Sequence, residues 1–395
     1  KLARDRFAHT VVKSKSMTTE EIGLNRALEE AGLVPVETDL GEWIIQLAGE
    51  TPSHIIVPAI HKTRGQIADL FREKLGTERT EDPTKLTNVA RRILRESFAD
   101  ADIGISGVNF AIAETGSFLV LENEGNARMT TSLPRMHLAI MGIEKVIPKL
   151  ADLEVFLRLL PRSGTGQHLT SYQTLFTGPR ADAEDEGPAE LHLLILDNGR
   201  SALLREEVER QALACIRCGA CLNACPVYRQ IGGHAYGSVY PGPIGAVITP
   251  QLAGIEKAAK LPFASSLCSA CRDVCPVKID IPRLLLHLRA RVVGAKKKDG
   301  AAMPVGERRR AERLGFRAWA CVMSSPLLYR AFARLVRILA PRALGSGGFA
   351  RLARRLSPPL VAWTSSRELP RPAKQSFREL WARQLSREHE PEVRA

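Results

Sequence analysis

The feature that most constrains this chain is a run of closely spaced cysteines that ends in a proline. The run consists of Cys215, Cys218, Cys221 and Cys225, with Pro226 directly after it. This spacing is typical of bacterial iron–sulfur proteins, in which the first three thiolates bind one cluster and the fourth binds another. The two-residue gaps turn successive sulfur atoms toward one centre, and the proline interrupts a helix and redirects the chain. The run therefore predicts two cubane clusters.

A second, incomplete copy of the motif lies about fifty residues further along the chain. It contains Cys268, Cys271 and Cys275, and Pro276 follows the last of them. Ser265 stands three residues before Cys268, where a complete copy would have its first cysteine. The repetition supports a two-cluster arrangement in which each copy of the motif contributes to both clusters.

This crossed arrangement specifies the expected ligands. The first [4Fe–4S] cluster is expected to use Cys215, Cys218, Cys221 and Cys275. The second [4Fe–4S] cluster is expected to use Cys225, Cys268 and Cys271, which leaves it with only three cysteine ligands. The candidates for the fourth ligand of this cluster are Ser265, His234 and the eighth cysteine, Cys321. A buried, small apolar side chain is the alternative interpretation of Cys321.

Clustered cysteines also have two other uses. Disulfide bonds form in oxidising compartments, and no secretory apolar region follows the first residues of this sequence. Structural zinc sites use cysteine pairs two residues apart, but they usually draw on two separated pairs. A triplet with a fourth Cys-Pro, present in two copies, favours iron–sulfur clusters, and zinc is the main alternative.

The first 200 residues alternate between strand-like and helix-like patterns. Strands are expected at 11–12, 34–38, 54–57, 103–106, 117–121, 137–141 and 191–196, and helices at 18–31, 62–75 and 83–98. A capping box from Thr18 to Glu21 is expected to start the first helix. The runs at 55–57 and 193–196 are apolar on both faces, as in buried parallel strands. Residues 1–200 are therefore predicted to form an α/β domain with an open, mostly parallel sheet.

Composition and charge change beyond this region. Residues 201–293 are expected to form a helical iron–sulfur domain, and Lys296–Lys298 begin a charged linker into residues 294–395. This last region holds 22 of the 56 Lys and Arg residues and 8 of the 43 Asp and Glu residues, whereas the rest of the chain is nearly neutral. A basic helical region on a neutral body predicts docking to an acidic partner or an anionic membrane surface. The basic and apolar residues expected on its docking helix are Arg330, Arg334, Arg337, Leu328, Phe332, Leu335 and Leu339.

Three segments outside the cysteine motifs are candidates for ligand contacts. Residues 13–16 join a strand to a helix N-terminus and carry two lysines and two serines, which suits an anion. Asn109, Glu114 and Glu124 follow or precede strands, where open α/β sheets bind ligands, and Glu114 is a candidate acid or base. Residues 231–245 are rich in glycine and proline and are expected to form a loop over a cluster or against a partner. No phosphate-binding or nucleophile-elbow motif occurs.

These features together resemble lactate utilization protein B, a family of iron–sulfur subunits in bacterial L-lactate oxidation. The resemblance spans nearly the whole chain and rests on residues 13–17, 109–116, 123–126, 215–226, 240–245, 266–276 and 376–381. It implies an α/β domain similar to sugar-isomerase and CoA-transferase domains, followed by a helical two-cluster ferredoxin domain. It also implies cytoplasmic residence and partner subunits called proteins A and C. The incomplete second motif belongs to this pattern, whereas the helical N-terminal segment usual in the family is absent, so we expect an N-terminally truncated α/β domain.

The expected function is electron transfer within an oxidoreductase complex. The chain has no flavin or nicotinamide motif, so we expect it to carry electrons while a partner catalyses the oxidation of L-lactate to pyruvate. An iron–sulfur subunit for another 2-hydroxy acid or glycerol 3-phosphate is the alternative within this class. A zinc-stabilised nucleic-acid-binding protein is the alternative from another class, and the low aromatic content of the basic region argues against it. The expected location is the cytoplasm, at the inner face of the membrane if the basic region binds there.

Overall fold

The computed structural model describes residues 3, 7–294, 310–343, 373 and 375–388. The chain divides into two compact units, Lys1–Val305 and Gly306–Ala395. The α/β region and the cysteine-rich region both belong to the first unit. The expected linker at Lys296–Lys298 and Leu339's side chain lie outside the described residues. The boundaries expected near residues 200 and 293 stay predictions.

The described strands form two sheets. In chain order they are β1 (Thr10–Lys13), β2 (Val34–Glu37), β3 (Ile103–Gly107), β4 (Phe110–Ile112), β5 (Ser117–Glu122), β6 (Met136–Gly142), β7 (Val146–Ile147), β8 (Tyr172–Phe176) and β9 (Glu190–Leu196). The first sheet has the order β2-β1-β3-β6-β9, and its neighbouring strands are all parallel. The second sheet has the order β7-β4-β5-β8 and is mixed. The predicted mostly parallel α/β sheet is therefore confirmed.

Helices cover both faces of the parallel sheet. The helices of this region are α1 (Met17–Glu21), α2 (Leu24–Glu30), α3 (Leu40–Ala48), α4 (Arg64–Leu75), α5 (Pro83–Ala99), α6 (Asn126–Ser132) and α7 (Leu153–Gly164). On one face Val12 packs in a core with Trp43 and Phe71, which come from α3 and α4. On the other face Val11 packs with Ile105, and residues of α2 lie against them. Adjacent residues of β1 thus enter opposite cores, as the two-residue strand period requires.

Three details differ from the sequence expectations. Residues 54–57 form bends rather than a strand, and Ile55 is buried in the iron–sulfur region. Strand β9 lies at a sheet edge with Leu194 and Ile195 half exposed, so its apolar run does not indicate a strand buried on both faces. The first helix is capped by Ser16, whose hydroxyl accepts the Thr19 N–H, and the expected cap at Thr18 is wrong.

The cysteine-rich region is helical. Its helices are α8 (Arg200–Arg205), α9 (Ala220–Ala224), α10 (Pro226–Ile231), α11 (Gly242–Leu252), α12 (Ala270–Asp273) and α13 (Ile281–Gly294). Leu284, Leu285 and Leu288 of α13 are fully buried in a core shared with residues of α11. Residues 231–245 were expected to be irregular throughout, but α11 begins at Gly242, and Pro243 in its first turn has no N–H that would be left unpaired there. Gly242 has a positive φ of 72°, and a β-carbon on it would lie 2.6 Å from Leu222 Cγ.

The second unit contains α14 (Arg310–Ser324), α15 (Pro326–Ala343) and α16 (Phe377–Glu388). Its described apolar side chains, such as Trp319 and Phe332, are largely exposed, and Arg337 pairs with Glu379. Cys321 is exposed on α14, so the interpretation of this cysteine as a buried apolar residue is wrong. Searched over its described residues, the chain contains no helix that is both long and apolar enough to cross a membrane.

Candidate iron–sulfur centre and adjoining cleft

Four of the predicted ligand cysteines line one small cavity in the first unit. They are Cys215, Cys218, Cys221 and Cys275, the set expected for the first cluster. The rest of the wall is mostly apolar and includes Ile55, Ile216, Ile244, Val277, Ile279 and Ile281. The two copies of the motif, far apart in sequence, therefore meet around one water-poor space.

Tight turns aim these cysteines at the cavity. Arg217 and Gly219, on either side of Cys218, have positive φ angles of 63° and 73°. Backbone N–H groups point at the sulfur atoms, with the Arg217 nitrogen 3.4 Å from Cys215 Sγ and the Ile279 nitrogen 3.4 Å from Cys275 Sγ. Hydrogen bonds of this kind are among the features that set cluster reduction potentials.

The four thiols also interact electrostatically. Burial raises the pKa of the Cys218 thiol, and Cys215 and Cys275 raise it further as neighbouring negative charges. Burial likewise raises the pKa of the Cys221 thiol well above its usual value, with Cys215 again contributing. Four thiolates cannot share such a cavity without a compensating positive centre, which bound iron supplies. The donor set thus fits a cluster with cysteine ligands.

The remaining three predicted ligands form a second group, in which Cys225 and Cys271 are buried and Cys268 is exposed. Burial raises the pKa of Cys271 to about 11, and Cys225 and Cys268 add to this effect. Cys268 is exposed, and the Ala270 N–H lowers the pKa of its thiol. The Tyr228 N–H lies 3.5 Å from Cys225 Sγ, so this sulfur also caps α10. Cys225, Cys268 and Cys271 are the set expected for the second cluster.

The residues considered for a fourth ligand of this group have other contacts. Ser265 Oγ accepts the Leu267 N–H at 3.1 Å. His234 Nε2 lies 2.7 Å from the carbonyl oxygen of Thr51, an oxygen that accepts its proton. His234 therefore binds a loop of the α/β region, and this hydrogen bond fixes the tautomer of its ring.

The arrangement of the cysteines differs from the arrangement of ligands around a single metal ion. Among the residues that the structure describes, no three His, Cys, Asp or Glu side chains converge closely enough to hold one ion. Zinc draws its sulfur ligands to within about 2.3 Å of itself, so its ligands crowd together. Cysteines spread around a cavity suit a body with several iron atoms.

The α/β region supplies one wall of the first cysteine cavity. Ile55 lines the cavity, and the neighbouring His54 Nε2 lies 3.2 Å from Asn223 Oδ1 on α9. The Tyr228 hydroxyl donates to the carbonyl oxygen of Ser53 at 2.8 Å. Gly233 passes so close to this carbonyl that a β-carbon would lie 1.7 Å from the oxygen. Sequence reasoning missed this wall because the apolar run at 54–57 matched a strand.

A larger cleft of about 420 Å³ adjoins this cavity at the carboxyl ends of β1 and β3. Lys15, Asn109 and Glu124, three of the predicted ligand-contact residues, line it. Lys13 does not, because it is buried and pairs with Glu20 at 2.9 Å and Glu37 at 2.7 Å. These carboxylates outweigh the effect of burial and raise the pKa of Lys13.

Glu114 does not belong to the cleft either. It is exposed in the turn between β4 and β5, and its carboxylate accepts the Leu150 N–H at 2.9 Å. Its structural role is to hold this turn against the segment after β7. The prediction of an acid or base at Glu114 therefore has no support from the position of this residue.

One end of the cleft is cationic, which sequence reasoning also missed. Arg217 and Lys145 line it, and burial, with Arg217 next in effect, lowers the pKa of Lys145 to about 8. Behind them, Arg200 is fully buried and bonds Glu144 at 2.6 Å and Glu21 at 2.8 Å. An arginine inside the cysteine run was the available signal, because a charged residue within a buried motif needs a partner.

Comparisons with protein-family models cover most of the chain. The LUD domain model matches residues 3–196, and the 4Fe-4S dicluster domain model matches residues 211–279. The model for the C-terminal region of lactate utilisation protein B matches residues 287–386. These matches support the predicted fold class, the iron–sulfur clusters and a role in lactate utilization.

Curated relatives agree with the family models. Lactate utilization protein B of Shouchella clausii is 48% identical over 97% of this chain and 78% of its own length. The proteins of the same name from Oceanobacillus iheyensis and Bacillus cytotoxicus are each 48% identical over 96% of this chain and 77% of their length. The comparison with a solved DUF162 family protein from Deinococcus radiodurans gives a TM-score of 0.23 and 11% sequence identity. The alignment covers 49% of this chain and 90% of the Deinococcus protein. The predicted resemblance is confirmed: the chain belongs to the lactate utilization protein B family.

Proposed function

We propose that this chain relays electrons from the oxidation of L-lactate to pyruvate through two [4Fe–4S] clusters. The oxidation releases two electrons, and each cluster supplies a one-electron site for their passage. The chain acts as the electron carrier of an oxidoreductase complex, and a partner holds the catalytic centre. Cys215, Cys218, Cys221 and Cys275 hold the first cluster, and Cys225, Cys268 and Cys271 hold the second.

The observation that carries this proposal is that one short helix joins two groups of cysteines, of which the second reaches the surface at Cys268. Cys221 precedes the last three residues of α9, and Cys225 follows them directly. Four residues of helix rise by about 6 Å, so the two groups are neighbours. Cys221 is buried, whereas Cys268 of the second group is exposed. The exposed Cys268 side of the second group is suited to passing electrons between the first group and a docked protein.

The protein residues control this passage in two ways. The Arg217 and Ile279 N–H groups donate to sulfur atoms of the first group and stabilise added negative charge there. The isoleucines around Cys275, including Ile279 and Ile281, exclude water from the cavity. Burial and hydrogen bonding act in opposite directions on the reduction potential, so their balance tunes the first cluster.

The second cluster has three cysteine ligands in this proposal. A serine hydroxyl loses its proton much less readily than a thiol, whose reference pKa is about 8.5. Ser265 is therefore a poorer ligand than a cysteine would be, and the fourth iron is held loosely. The exposure of Cys268 supports this assignment, because solvent reaches that side of the site.

The partners in this proposal are lactate utilization proteins A and C. The basic second unit docks to an acidic subunit or to an anionic membrane surface on the cytoplasmic side. Support comes from α15, where Arg330 and Arg334 are exposed beside the half-exposed Leu328 and Phe332. No nucleic-acid partner is expected. Removal of residues after Val293 will weaken binding to proteins A and C, or to anionic vesicles at low salt, and unchanged binding to both would contradict the docking role.

An anaerobic reconstitution tests the electron relay. The full chain, loaded with iron and sulfide, is mixed with proteins A and C and L-lactate, and paramagnetic resonance reports cluster reduction. Reduction should require the partners and should be lost in Cys218→Ser, whereas the matched variant Cys321→Ser should behave as the parent. Full reduction of Cys218→Ser by lactate would overturn the ligand assignment and the relay.

Parallel samples with glycolate and glycerol 3-phosphate test the substrate. These compounds represent the alternative of a complex for another 2-hydroxy acid or for glycerol 3-phosphate. Faster cluster reduction by either one than by L-lactate would replace lactate as the proposed electron source. Metal analysis of the same preparation should give iron and sulfide rather than zinc.

A further inference from the structure

The cleft and the first cysteine cavity share a wall. Ile55, Ile216 and Arg217 line both spaces, and Arg217 lies between Cys215 and Cys218 in the chain. A molecule in the cleft would therefore lie next to the first cysteine group. The residues that line both spaces belong to the first compact unit.

Positive charge exceeds negative charge at this end of the cleft. The two buried carboxylates are Glu21 and Glu144, and Arg200 binds both of them. Arg217 shares Glu144 at a longer distance of 3.4 Å. Lys145 adds a third cation, and within residues 7–294 no carboxylate lies at ion-pair distance from its ammonium group. Three cations thus face two carboxylates and the Cys215 sulfur, which also interacts with Arg217, and Lys145 is the cation without an ion-pair partner among these residues.

Arg217 also has an unused hydrogen-bond donor. Nη1 of Arg217 is buried and has no hydrogen-bond partner among the described residues. The guanidinium lies 4.8 Å from the centre of the Tyr240 ring, and the Tyr240 hydroxyl donates to Glu21 at 2.7 Å, so its position is fixed. A buried guanidinium donor without an acceptor costs free energy, which an anionic ligand would offset.

The rest of the cleft suits an organic molecule rather than a bare ion. Its volume of about 420 Å³ lies within the usual range for small-ligand sites. Val108, Val120 and Leu160 add apolar surface, and Asp39 and Glu124 line the cleft near Lys15, away from Lys145 and Arg217. Asn123 is bonded to Gln167 and Ser171, so Asn109 is the amide that can hydrogen-bond a hydroxyl or carbonyl group of a ligand.

We propose that the cleft is a binding site for a small organic anion whose carboxylate or phosphate group lies between Lys145 and Arg217, beside the first cysteine group. The anionic group accepts hydrogen bonds from both cations, and the remainder of the ligand extends toward Asn109. This inference goes beyond the electron relay, which requires no small molecule bound to this chain. The carboxylate and phosphate classes share the same recognition chemistry and are separated by experiment.

Anaerobic titration calorimetry on the full, cluster-loaded chain tests the proposal. The probes are L-lactate and pyruvate for the carboxylate class, and glycerol 3-phosphate and inorganic phosphate for the phosphate class. Lys145→Gln should weaken binding of the recognised class by about tenfold or more, since a hydrogen bond to a charged group contributes about 1.5–3 kcal/mol. The matched control is Lys85→Gln, because Lys85 is an exposed lysine on α5 outside the cleft.

A second measurement reports where the anion binds. Binding should change the paramagnetic resonance spectrum of the reduced first cluster in the parent and in Lys85→Gln, and this change should need a higher probe concentration in Lys145→Gln. Arg217→Lys keeps the charge but removes the planar guanidinium, and it should weaken binding less than Lys145→Gln does.

Three results would overturn the site. The first is no binding of any probe by the parent at about 10 mM. The second is equal affinity in the parent and in Lys145→Gln. The third is a changed reduction potential of the first cluster in Lys145→Gln with unchanged anion binding, which would show that the cations serve the cluster alone. Failure of lactate to reduce the clusters, with anion binding intact, would count against the electron relay and leave this site standing.

Discussion

Arg200 allows the sharpest test of what holds the α/β region to the iron–sulfur region. It is fully buried at the start of α8, and its guanidinium binds both carboxylate oxygens of Glu21 at 2.8 Å and Glu144 Oε2 at 2.6 Å. Arg200→Met removes the charge and keeps an unbranched apolar side chain in place of the arginine's methylene groups. The two carboxylates then stay buried without their main cation.

The expected loss of stability follows from the contacts that remain. Glu21 keeps Asn198 at 2.6 Å and Tyr240 at 2.7 Å, and among the described residues Glu144 keeps Arg217 at 3.4 Å as its hydrogen-bond partner. Removing one partner of a buried ion pair typically costs about 3–5 kcal/mol, and these residual donors keep the loss within that range. With an unfolding entropy of about 2 cal/mol/K per residue over roughly 300 residues, Tm should fall by about 5–8 °C.

The matched control is Arg26→Met. Arg26 pairs with Glu30 at 2.8 Å on α2, but their side chains are 85% and 64% exposed. Exposed pairs of this kind contribute about 0.5 kcal/mol or less, so Tm should change by less than about 1 °C. Thermal unfolding of both variants, followed by circular dichroism, gives the comparison. A Tm loss in Arg200→Met no larger than in Arg26→Met would refute the reasoning.

Three further outcomes are expected. Mild oxidation of the parent should give a three-iron paramagnetic signal that Ser265→Cys suppresses and Cys321→Ala retains; an absent signal with unchanged iron content would mean that another ligand completes the site. The buried hydroxyl of Tyr236 lies near Cys225 and has no hydrogen-bond partner among the described residues. Tyr236→Phe should therefore lower the reduction potential of the cluster that Cys225 binds, and an unchanged potential would contradict this. Burial lowers the pKa of His137 to about 4, whereas in the unfolded chain this histidine has its ordinary pKa of about 6.5. Lowering the pH from 7.5 to 5 should therefore protonate His137 in the unfolded chain first and reduce the free energy of unfolding by about 2 kcal/mol. His137→Asn should remove this part of the pH dependence in denaturant titrations, and equal dependence in both proteins would contradict it.

Local sequence patterns predicted much of the fold. The helices at 64–75 and 83–99 have apolar residues at helical spacing, and the parallel strands β1, β3 and β6 are short β-branched or apolar runs. The grouping of Cys215, Cys218 and Cys221 around one cavity was predictable because their spacing is itself a local geometric constraint. For these elements the information lies in a short stretch of chain.

The parts that could not be predicted depend on contacts between distant residues. Arg200 and Glu144 are 56 residues apart, and neither lies in a recognisable motif. The bends at 54–57 have the composition of a strand, and only packing against Asn223 and Tyr228 decides their conformation. Strand β9 is apolar like a central strand but lies at the sheet edge, where Ile195 remains half exposed.

These distant contacts make the α/β region part of the iron–sulfur centre rather than an appended domain. Ile55 closes the first cysteine cavity, and His54 and Ser53 bind residues on either side of Cys225. On the opposite side, Glu21 of α1 holds Tyr240, whose ring supports Arg217 beside Cys215. Because both sides of the cavity depend on the α/β region, loosening that region exposes the buried cysteines to water. A variant that weakens these contacts should therefore lose iron from the first cluster before the helical core around α13 unfolds.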